Sequence, residues 1–280
     1  MDHKVLILGA KGMLGSALAE VFSDLNPALW DMSEIDITDQ KAVDKKLAEF
    51  KPTLIINAAA YTDVDGAESN KELADKVNGA AVGYLAETAK KLSAILVHYS
   101  TDYVFAGVNK SGYKENEDTA PVNIYGESKL LGEQLLVKNC EMYYLIRSSW
   151  LYGSNGKNFI DTILTKAEQK DTLTVVNDQF GKPTYTKDLA LATRRLVEQM
   201  KPCGIYHITN ETHVGGITWY DLAKKAIELK NIKTNVVPCS SAEFPRPAKR
   251  PAYSALINTK LEPTRSWEES LEEYLKCKVT

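Results

Sequence analysis

The chain has 280 residues, 44% of them hydrophobic and 25% charged, with a formal net charge of -3. Such a composition supplies a sizeable core for one large domain or two modest ones and excludes the apolar-poor class of disordered chains. No basic cluster gives a footprint for nucleic acid, and no apolar run approaches the ~20 residues that span a bilayer, so neither nucleic acid nor membrane is expected as a partner.

In chain order, "KVLIL" reads as a buried strand and "MLGSALAEVF" as a helix, with the glycine turn "GAKG" between them. "ALW" is a short second strand, and the charged stretch "DQKAVDKKLAEF" is a helix. "TLIINAAA" (strand), "NKELADKVNGAAVGYLAETAKKL" (one helix), "AILVHYS" (strand), "VNIYGESKLLGEQ" (helix) and "MYYLIRSSW" (strand) follow. Short apolar strands alternating with helical patterns imply βαβ units and a parallel sheet. Beyond about residue 150 the pattern loosens: "NFIDTILTKAEQKDTLTVV" gives a helix and a strand, "WYDLAKKAIELKN" a helix with Asp221 in its first turn, and "CSSAEFPRPAKRPAYSAL" a loop. The expected fold is α/β, a Rossmann-type doubly wound parallel sheet over residues 1–150 and a smaller substrate-binding lobe over 151–280. Later segments such as 172–200 are expected to pack back on the sheet, with the ligand cleft between the two parts.

Cys140, Cys203, Cys239 and Cys277 are scattered without a C-x-x-C, and the four histidines show no metal-ligand spacing. Structural thiols in a reducing cytoplasm and no bound metal are expected. The start, "MDHKVLILGAKG", leads straight into a glycine turn and does not read as a signal peptide.

Gly9, Gly12 and Gly15 form G-x-x-G-x-x-G between the first strand and the first helix. A pyrophosphate site needs a tight turn, backbone close to the phosphates and a helix N-terminus with free amide donors. A purely structural turn is the plainer alternative, and the strand–turn–helix setting favours the nucleotide. Asp31, after the second strand, stands where a ribose-binding carboxylate belongs, which favours NADH. Lys11, inside the turn, could pair with a 2′-phosphate and favours NADPH. Asp36 and Ile37 could flank the adenine, or form an ordinary helix N-cap region.

Ser100, Thr101 and Asp102 end the fourth strand, where ligands lie in parallel α/β sheets. Tyr125 and Lys129 are four residues apart in the helix that follows, on one face. By itself Y-x-x-x-K is more often a solvated surface pair. In this setting a phenol, with an ordinary pKa near ~10, can be made a better acid–base group by a neighbouring ammonium. Thr101 could donate to the same carbonyl oxygen that Tyr125 protonates.

Gly9/Gly12/Gly15, "NAAA" at 57–60, Thr101, Tyr125 and Lys129 together resemble an extended short-chain dehydrogenase/reductase. The segments "NAAAYTDVDGAE", "STDYVFAG", "YGESKLLGE", "RSSWLYG", "DQFGKPTYTKDLA", "GIYHITN" and "RPAYSAL" resemble, over nearly the whole chain, the dTDP-4-dehydrorhamnose reductase family. The resemblance implies reduction of the C4 ketone of a dTDP-sugar, dTDP-4-dehydro-β-L-rhamnose, by NADH or NADPH. It implies that Thr101 and Tyr125 act on the carbonyl oxygen and that Lys129 supports Tyr125 and the cofactor ribose, with Asn78 completing the catalytic set. Gly12, Met13 and Leu14 match the pyrophosphate loop, and Ala59, Ala60 and Tyr61 a segment lining the cofactor. Val64, Thr101, Asp102, Tyr103 and Trp150 match substrate contacts, and Arg250 resembles an arginine that grips a sugar-nucleotide diphosphate. Some relatives hold magnesium on glutamates at a homodimer contact; Ala17 occupies one such position here.

A 4,6-dehydratase shares the Y-x-x-x-K pair but uses an acidic pair directly after the threonine; here Asp102 is followed by Tyr103. A 4-epimerase, and a non-catalytic subunit like the regulatory subunit of methionine adenosyltransferase, are the remaining alternatives.

Overall fold

The computed structural model describes residues 3–277. It runs β1 (Val5–Leu8), α1 (Met13–Val21), β2 (Ala28–Trp30), α2 (Gln40–Phe50) and β3 (Leu54–Asn57). Short helices α3 (Val64–Ala67) and α4 (Lys71–Ala74) follow, and a π-helical stretch, Asp75–Ala80, runs on into α5 (Ala81–Leu92). Next come β4 (Ile95–Thr101), α6 (Ile124–Asn139), β5 (Tyr143–Ser148), β6 (Leu151–Tyr152), α7 (Phe159–Ala167) and β7 (Thr172–Val176). The chain continues through β8 (Phe180–Gly181), β9 (Thr184–Tyr185), α8 (Thr186–Glu198), β10 (Gly204–His207) and β11 (Ile217–Thr218). It closes with α9 (Trp219–Leu229), β12 (Asn235–Cys239) and α10 (Trp267–Cys277).

Six strands pair in the order β10-β5-β4-β3-β1-β2, all parallel. Every residue of β1 and β3 is buried, as continuous apolar runs covered on both faces must be. Alternate side chains serve opposite layers. Ile7, Ile56, Val97 and Ile146 pack with Leu14 and Leu18 of α1 and Leu189 and Leu196 of α8. Leu6, Ile55, Leu96 and Leu145 pack with Val43 of α2, Val82 and Leu85 of α5 and Leu136 of α6. The strand order reverses between β1 and β3, and the loops leaving their carboxyl ends diverge there to leave a crevice.

Polar residues at the helix starts do the capping their types predict. Asp39 accepts the amides of Lys41 and Ala42, Asn123 accepts that of Gly126, and Thr218 with Asp221 forms a reciprocal capping box.

Three features differ from the pattern in the sequence. The stretch 71–92 is not one regular helix, because the π-helical turn widens it around Asn78. Within 172–200, α8 packs on α1 in the main layer, but β7 pairs with β12 away from the six-stranded sheet. Gly204–His207 joins that sheet as edge strand β10, where Tyr206 is buried in the core. The smaller lobe is built on an aromatic cluster of Tyr152, Tyr185, Trp267 and Tyr274. Among the described residues no helix is long and apolar enough to cross a membrane.

Candidate active site

The glycine turn lies at the strand-order reversal. Gly9 has φ +71°, a conformation open to glycine, and a Cβ there would stand 2.7 Å from the Ala59 nitrogen. At Gly15 a Cβ would come within 2.0 Å of the Gly9 carbonyl oxygen, so glycine lets α1 start hard against the turn. Gly12 is the N-cap and offers no side-chain cap, which leaves first-turn amides of α1 available to an anion. The segment after β3 passes this turn at Ala58 and Ala59 and continues through Ala60 to Tyr61. These features fit a dinucleotide pyrophosphate.

Asp31 and Lys11 meet at the same place. The Asp31 carboxylate accepts the Lys11 amide (3.0 Å) and the Met32 amide (2.9 Å), so it ties the glycine turn to the end of β2. The Lys11 ammonium donates to Ser33 Oγ (3.2 Å). Asp36 spends a carboxylate oxygen on the Thr38 amide and hydroxyl, and Ile37 is buried in the core beside Ile35.

Thr101 ends β4 and accepts the Tyr103 amide (3.2 Å). Its Oγ1 lies 3.0 Å from Asp102 Oδ1, and its side chain stands beside the Tyr125 hydroxyl. The N-terminus of α6 reaches the β4 turn because of Gly126: a Cβ there would lie 2.3 Å from the Tyr103 carbonyl oxygen. The rings of Tyr103 and Tyr125 meet edge to face at 6.0 Å.

The expected lowering of the Tyr125 pKa by Lys129 is not what the geometry gives. Burial, with the Asp102 charge, pushes the phenol up to about 12, against the opposing effect of the Thr101 side chain beside it. The Lys129 ammonium is directed elsewhere, donating to the Tyr99 carbonyl oxygen at 2.6 Å. Lys129 is only 2% exposed, and burial brings it down to about 8 against the opposing charge of Glu133. Tyr125, Lys129 and Glu133 fall at successive four-residue steps on α6. Glu133 in turn is held by Arg147 through two bonds, Nε–Oε1 3.0 Å and Nη2–Oε2 2.6 Å, with both side chains buried.

Asn78, expected to complete the catalytic set, is bonded at both ends of its side-chain amide. Its Oδ1 accepts the Tyr61 amide (2.9 Å), and its Nδ2 donates to the Tyr61 carbonyl (2.9 Å) and to Ser128 Oγ (3.0 Å). It braces the 59–61 loop against α6 with both amide hydrogens and one lone pair of the oxygen.

The opposite wall comes from the loop after β12. Arg250 donates to Asp65 Oδ1 (2.5 Å) and the Ala248 carbonyl (2.8 Å), and its guanidinium stands near the Tyr103 hydroxyl. Asp65 lies on α3 beside Val64. Burial works against its charge, but bonds from Arg250 and the Ala248 amide hold it below the usual carboxylate range. Ser254, in the same loop, places Oγ 2.5 Å from Asp102 Oδ2. Trp150 has φ +48° and stacks on Trp219, with ring centroids 3.6 Å apart. A Cβ at Gly181 would lie 2.6 Å from its Cε2, so the partly buried indole packs against the aromatic cluster on one side.

Thr101, Asp102, Tyr103, Tyr125 and Arg250 are therefore gathered in one place by direct contacts, and Lys129 is anchored to β4 behind them. Asp65, Ser254, Glu133 and Trp219 join them without having stood out in the sequence. Only Glu133 carries a signal there, its four-residue step from Lys129; the others are brought in by chain segments remote in sequence.

Residues 3–279 match the family model described as RmlD substrate binding domain. A dTDP-4-dehydrorhamnose reductase of Aggregatibacter actinomycetemcomitans is 40% identical over 274 residues, covering 92% of this chain and 92% of the relative. The chain belongs to the dTDP-4-dehydrorhamnose reductase family. The spore coat polysaccharide biosynthesis protein SpsK of Bacillus subtilis (strain 168) is 38% identical, over 98% of this chain and 97% of its own. The crystal structure of the dTDP-4-dehydrorhamnose reductase of Bacillus anthracis in complex with NADP is similar over 99% of both chains, with a TM-score of 0.93 and 37% identity. Members of the reductase family thus share this fold from end to end, lobe included.

Proposed function

We propose that the chain reduces the C4 ketone of dTDP-4-dehydro-β-L-rhamnose to dTDP-β-L-rhamnose, with NADH or NADPH, in nucleotide-sugar synthesis for cell-surface polysaccharide. The observation that carries this reading is Tyr125, its ring edge-on to Tyr103, beside Thr101 at the carboxyl end of β4, with buried Lys129 one turn further along α6, in a chain of this family. The NADP bound by the Bacillus anthracis relative supports the cofactor class.

When bound, the reduced nicotinamide supplies the hydride. In this reading its pyrophosphate is held at Gly12, Met13 and Leu14, and Ala59, Ala60 and Tyr61 line its other side. Tyr125, with its pKa pushed up to about 12, keeps its proton at neutral pH and gives it up as negative charge develops on the keto oxygen. Thr101 donates to the same oxygen and orients it. Lys129 stabilises the phenolate left behind and bonds a ribose hydroxyl. Glu133 and Arg147 support Lys129 by balancing charge beneath it. Arg250, in exchange for Asp65, takes the sugar-nucleotide diphosphate. Trp150 shapes the lobe side of the cleft from its stack on Trp219. A cytoplasmic setting agrees with the unbridged buried thiols of Cys140 and Cys239. The same family resemblance implies a homodimer, which sedimentation velocity would test.

The deciding experiment supplies purified protein with NADH or NADPH and an enzymatically generated dTDP-4-keto-6-deoxyhexose, and identifies the product. Steady oxidation of the dinucleotide with formation of dTDP-β-L-rhamnose is expected. No turnover with either dinucleotide would sink the reading, and a different hexose product would redirect it to another keto-sugar nucleotide.

A further inference from the structure

Asp102 sits behind the reacting pair, and among the described residues no cation bonds its carboxyl. It is 2% exposed, and its two oxygens face two hydroxyls, Thr101 Oγ1 at 3.0 Å and Ser254 Oγ at 2.5 Å. The titratable groups that face it are Tyr125 from α6 and Tyr103 from its own turn. The nearby cations are engaged elsewhere: Lys129 on the Tyr99 carbonyl, Arg250 on Asp65 and the Ala248 carbonyl.

The protonation state of Asp102 sets what Thr101 can do. A hydroxyl has one proton to give and two lone pairs to accept with. One lone pair takes the Tyr103 amide. If Asp102 is a carboxylate it can only accept, so it claims the single Thr101 proton, and Thr101 has none left for a keto oxygen. If Asp102 is a carboxylic acid it can donate to Thr101, whose own proton is then free for the substrate. Ser254 selects the oxygen that carries the acid proton. Its hydroxyl has two acceptors in reach, Oδ2 at 2.5 Å and the Phe180 carbonyl at 3.4 Å; donation to the nearer Oδ2 leaves the acid proton on Oδ1, beside Thr101.

We propose that Asp102 is a positioning residue that works in its acid form, donating to Thr101 so that the Thr101 hydroxyl can donate to the keto oxygen beside Tyr125. This deepens the reductase reading and rests on it. Burial, the largest influence on the group, agrees with it: Asp102 is pushed up to about 7, against hydrogen bonds from Ser254 and Thr101.

The test compares kcat–pH profiles of the wild type, Asp102→Asn and Ser254→Ala with the keto-sugar nucleotide at saturation. In the wild type kcat falls about tenfold or more from pH 6 to pH 8, as one ionisation near neutrality requires. Asparagine imitates the acid form, accepting from Ser254 through its oxygen and donating to Thr101 through its amide. Asp102→Asn therefore loses the limb near pH 7, so that its kcat at pH 8 relative to pH 6 rises above the wild-type ratio, leaving only the fall that Lys129, brought down to about 8, sets. Ser254→Ala removes a bond that favours the charged form and moves the limb to higher pH. A merely structural Asp102 would lower kcat without moving either limb, and that result overturns the proposal. An isotope-edited infrared titration reads the carboxyl directly and needs no substrate. A protonated-carboxyl band at pH 6, absent in Asp102→Asn, is expected; an ionised carboxylate at pH 6 overturns the proposal. If the wild type fails to reduce the sugar nucleotide, the reductase reading falls, and the infrared titration alone decides the state of Asp102.

Discussion

Tyr125 holds the proton that the proposed reduction consumes. Tyr125→Phe leaves its ring against Tyr103 and removes the hydroxyl beside Thr101, so kcat should drop by roughly 10²-fold or more with dinucleotide affinity little changed. Near-normal turnover would take Tyr125 out of the mechanism. Arg250 is a clearer binding residue in the folded chain than in the sequence, because its partner in this structure is a carboxylate that a diphosphate can replace. Arg250→Ala should raise KM for the sugar nucleotide by roughly ten- to a hundredfold, the scale of one lost charge-assisted hydrogen-bonded pair, and leave dinucleotide affinity alone. Paired titrations with dTDP and NADH check this, and equal loss for both ligands would count against a diphosphate clamp. For Asp31 the structure adds a second role, since its carboxylate also anchors the glycine turn through the Lys11 amide. Asp31→Ala should move preference towards NADPH by removing a charge that repels a 2′-phosphate, and should weaken both dinucleotides by loosening the turn. Unchanged kcat/KM ratios for the two would show that Asp31 does not face the ribose.

At the scale of elements, the site depends on how closely α6 approaches β4. Gly126, against the Tyr103 carbonyl, makes that approach feasible, and Gly132 does the same for α6 against the π-helical stretch, where a Cβ would lie 2.1 Å from the Asn78 carbonyl oxygen. Both obstacles are backbone, which cannot rotate aside, so the added methyl of Gly126→Ala must displace the helix carrying Tyr125 and Lys129. Overpacking of this kind costs about 1–3 kcal/mol, so the variant should fold. Its kcat should fall much further than its thermal stability, as activity assays beside calorimetry would read. The ion pair below α6 behaves differently. Glu133→Gln leaves Arg147 buried without its carboxylate, and breaking a buried pair costs about 3–5 kcal/mol, so the main effect should be a lower Tm. An unchanged Tm would mean that water or another group replaces Glu133.

For the whole molecule, buried titratable groups set the response to acid. His98 and His207 are both pushed below the usual histidine range by burial, His207 to about 3. Between pH 6.5 and their folded values the unfolded chain takes up protons that the folded chain refuses, so stability falls as pH falls. Asp102, pushed up to about 7, works in the opposite direction: the folded state takes up its proton first, and stability rises as pH falls towards the ordinary aspartate range. The histidines together should outweigh the single carboxyl. His207→Gln should therefore flatten the loss of Tm between pH 7 and pH 5, and Asp102→Asn should steepen it. The opposite ordering of the two slopes would show that His207 is charged in the folded state.

Much of this architecture is legible in the amino-acid sequence, for reasons of local physics. Continuous apolar runs are buried on both faces, so β1, β3, β4 and β5 announce a parallel sheet. Asp39, Asn123 and Thr218 mark helix starts, and Gly9, Gly12 and Gly15 announce a turn that needs positive φ and close backbone contact. Tyr125 and Lys129 share a helix face because their spacing is one turn. The architecture, the family and the elements that carry the chemistry are thus set out along the chain itself. What each polar group spends its hydrogen bonds on is settled by tertiary packing alone. Asn78 braces Tyr61, and Lys129 is directed to the Tyr99 carbonyl. Trp150 is stacked on Trp219, and Asp65 is seated on Arg250. Asp102 lies between Thr101 and Ser254. These partners are separated by up to 185 residues. Periodicity and spacing act over a few residues along the chain, whereas burial and pairing depend on which distant segments the folded layers press together.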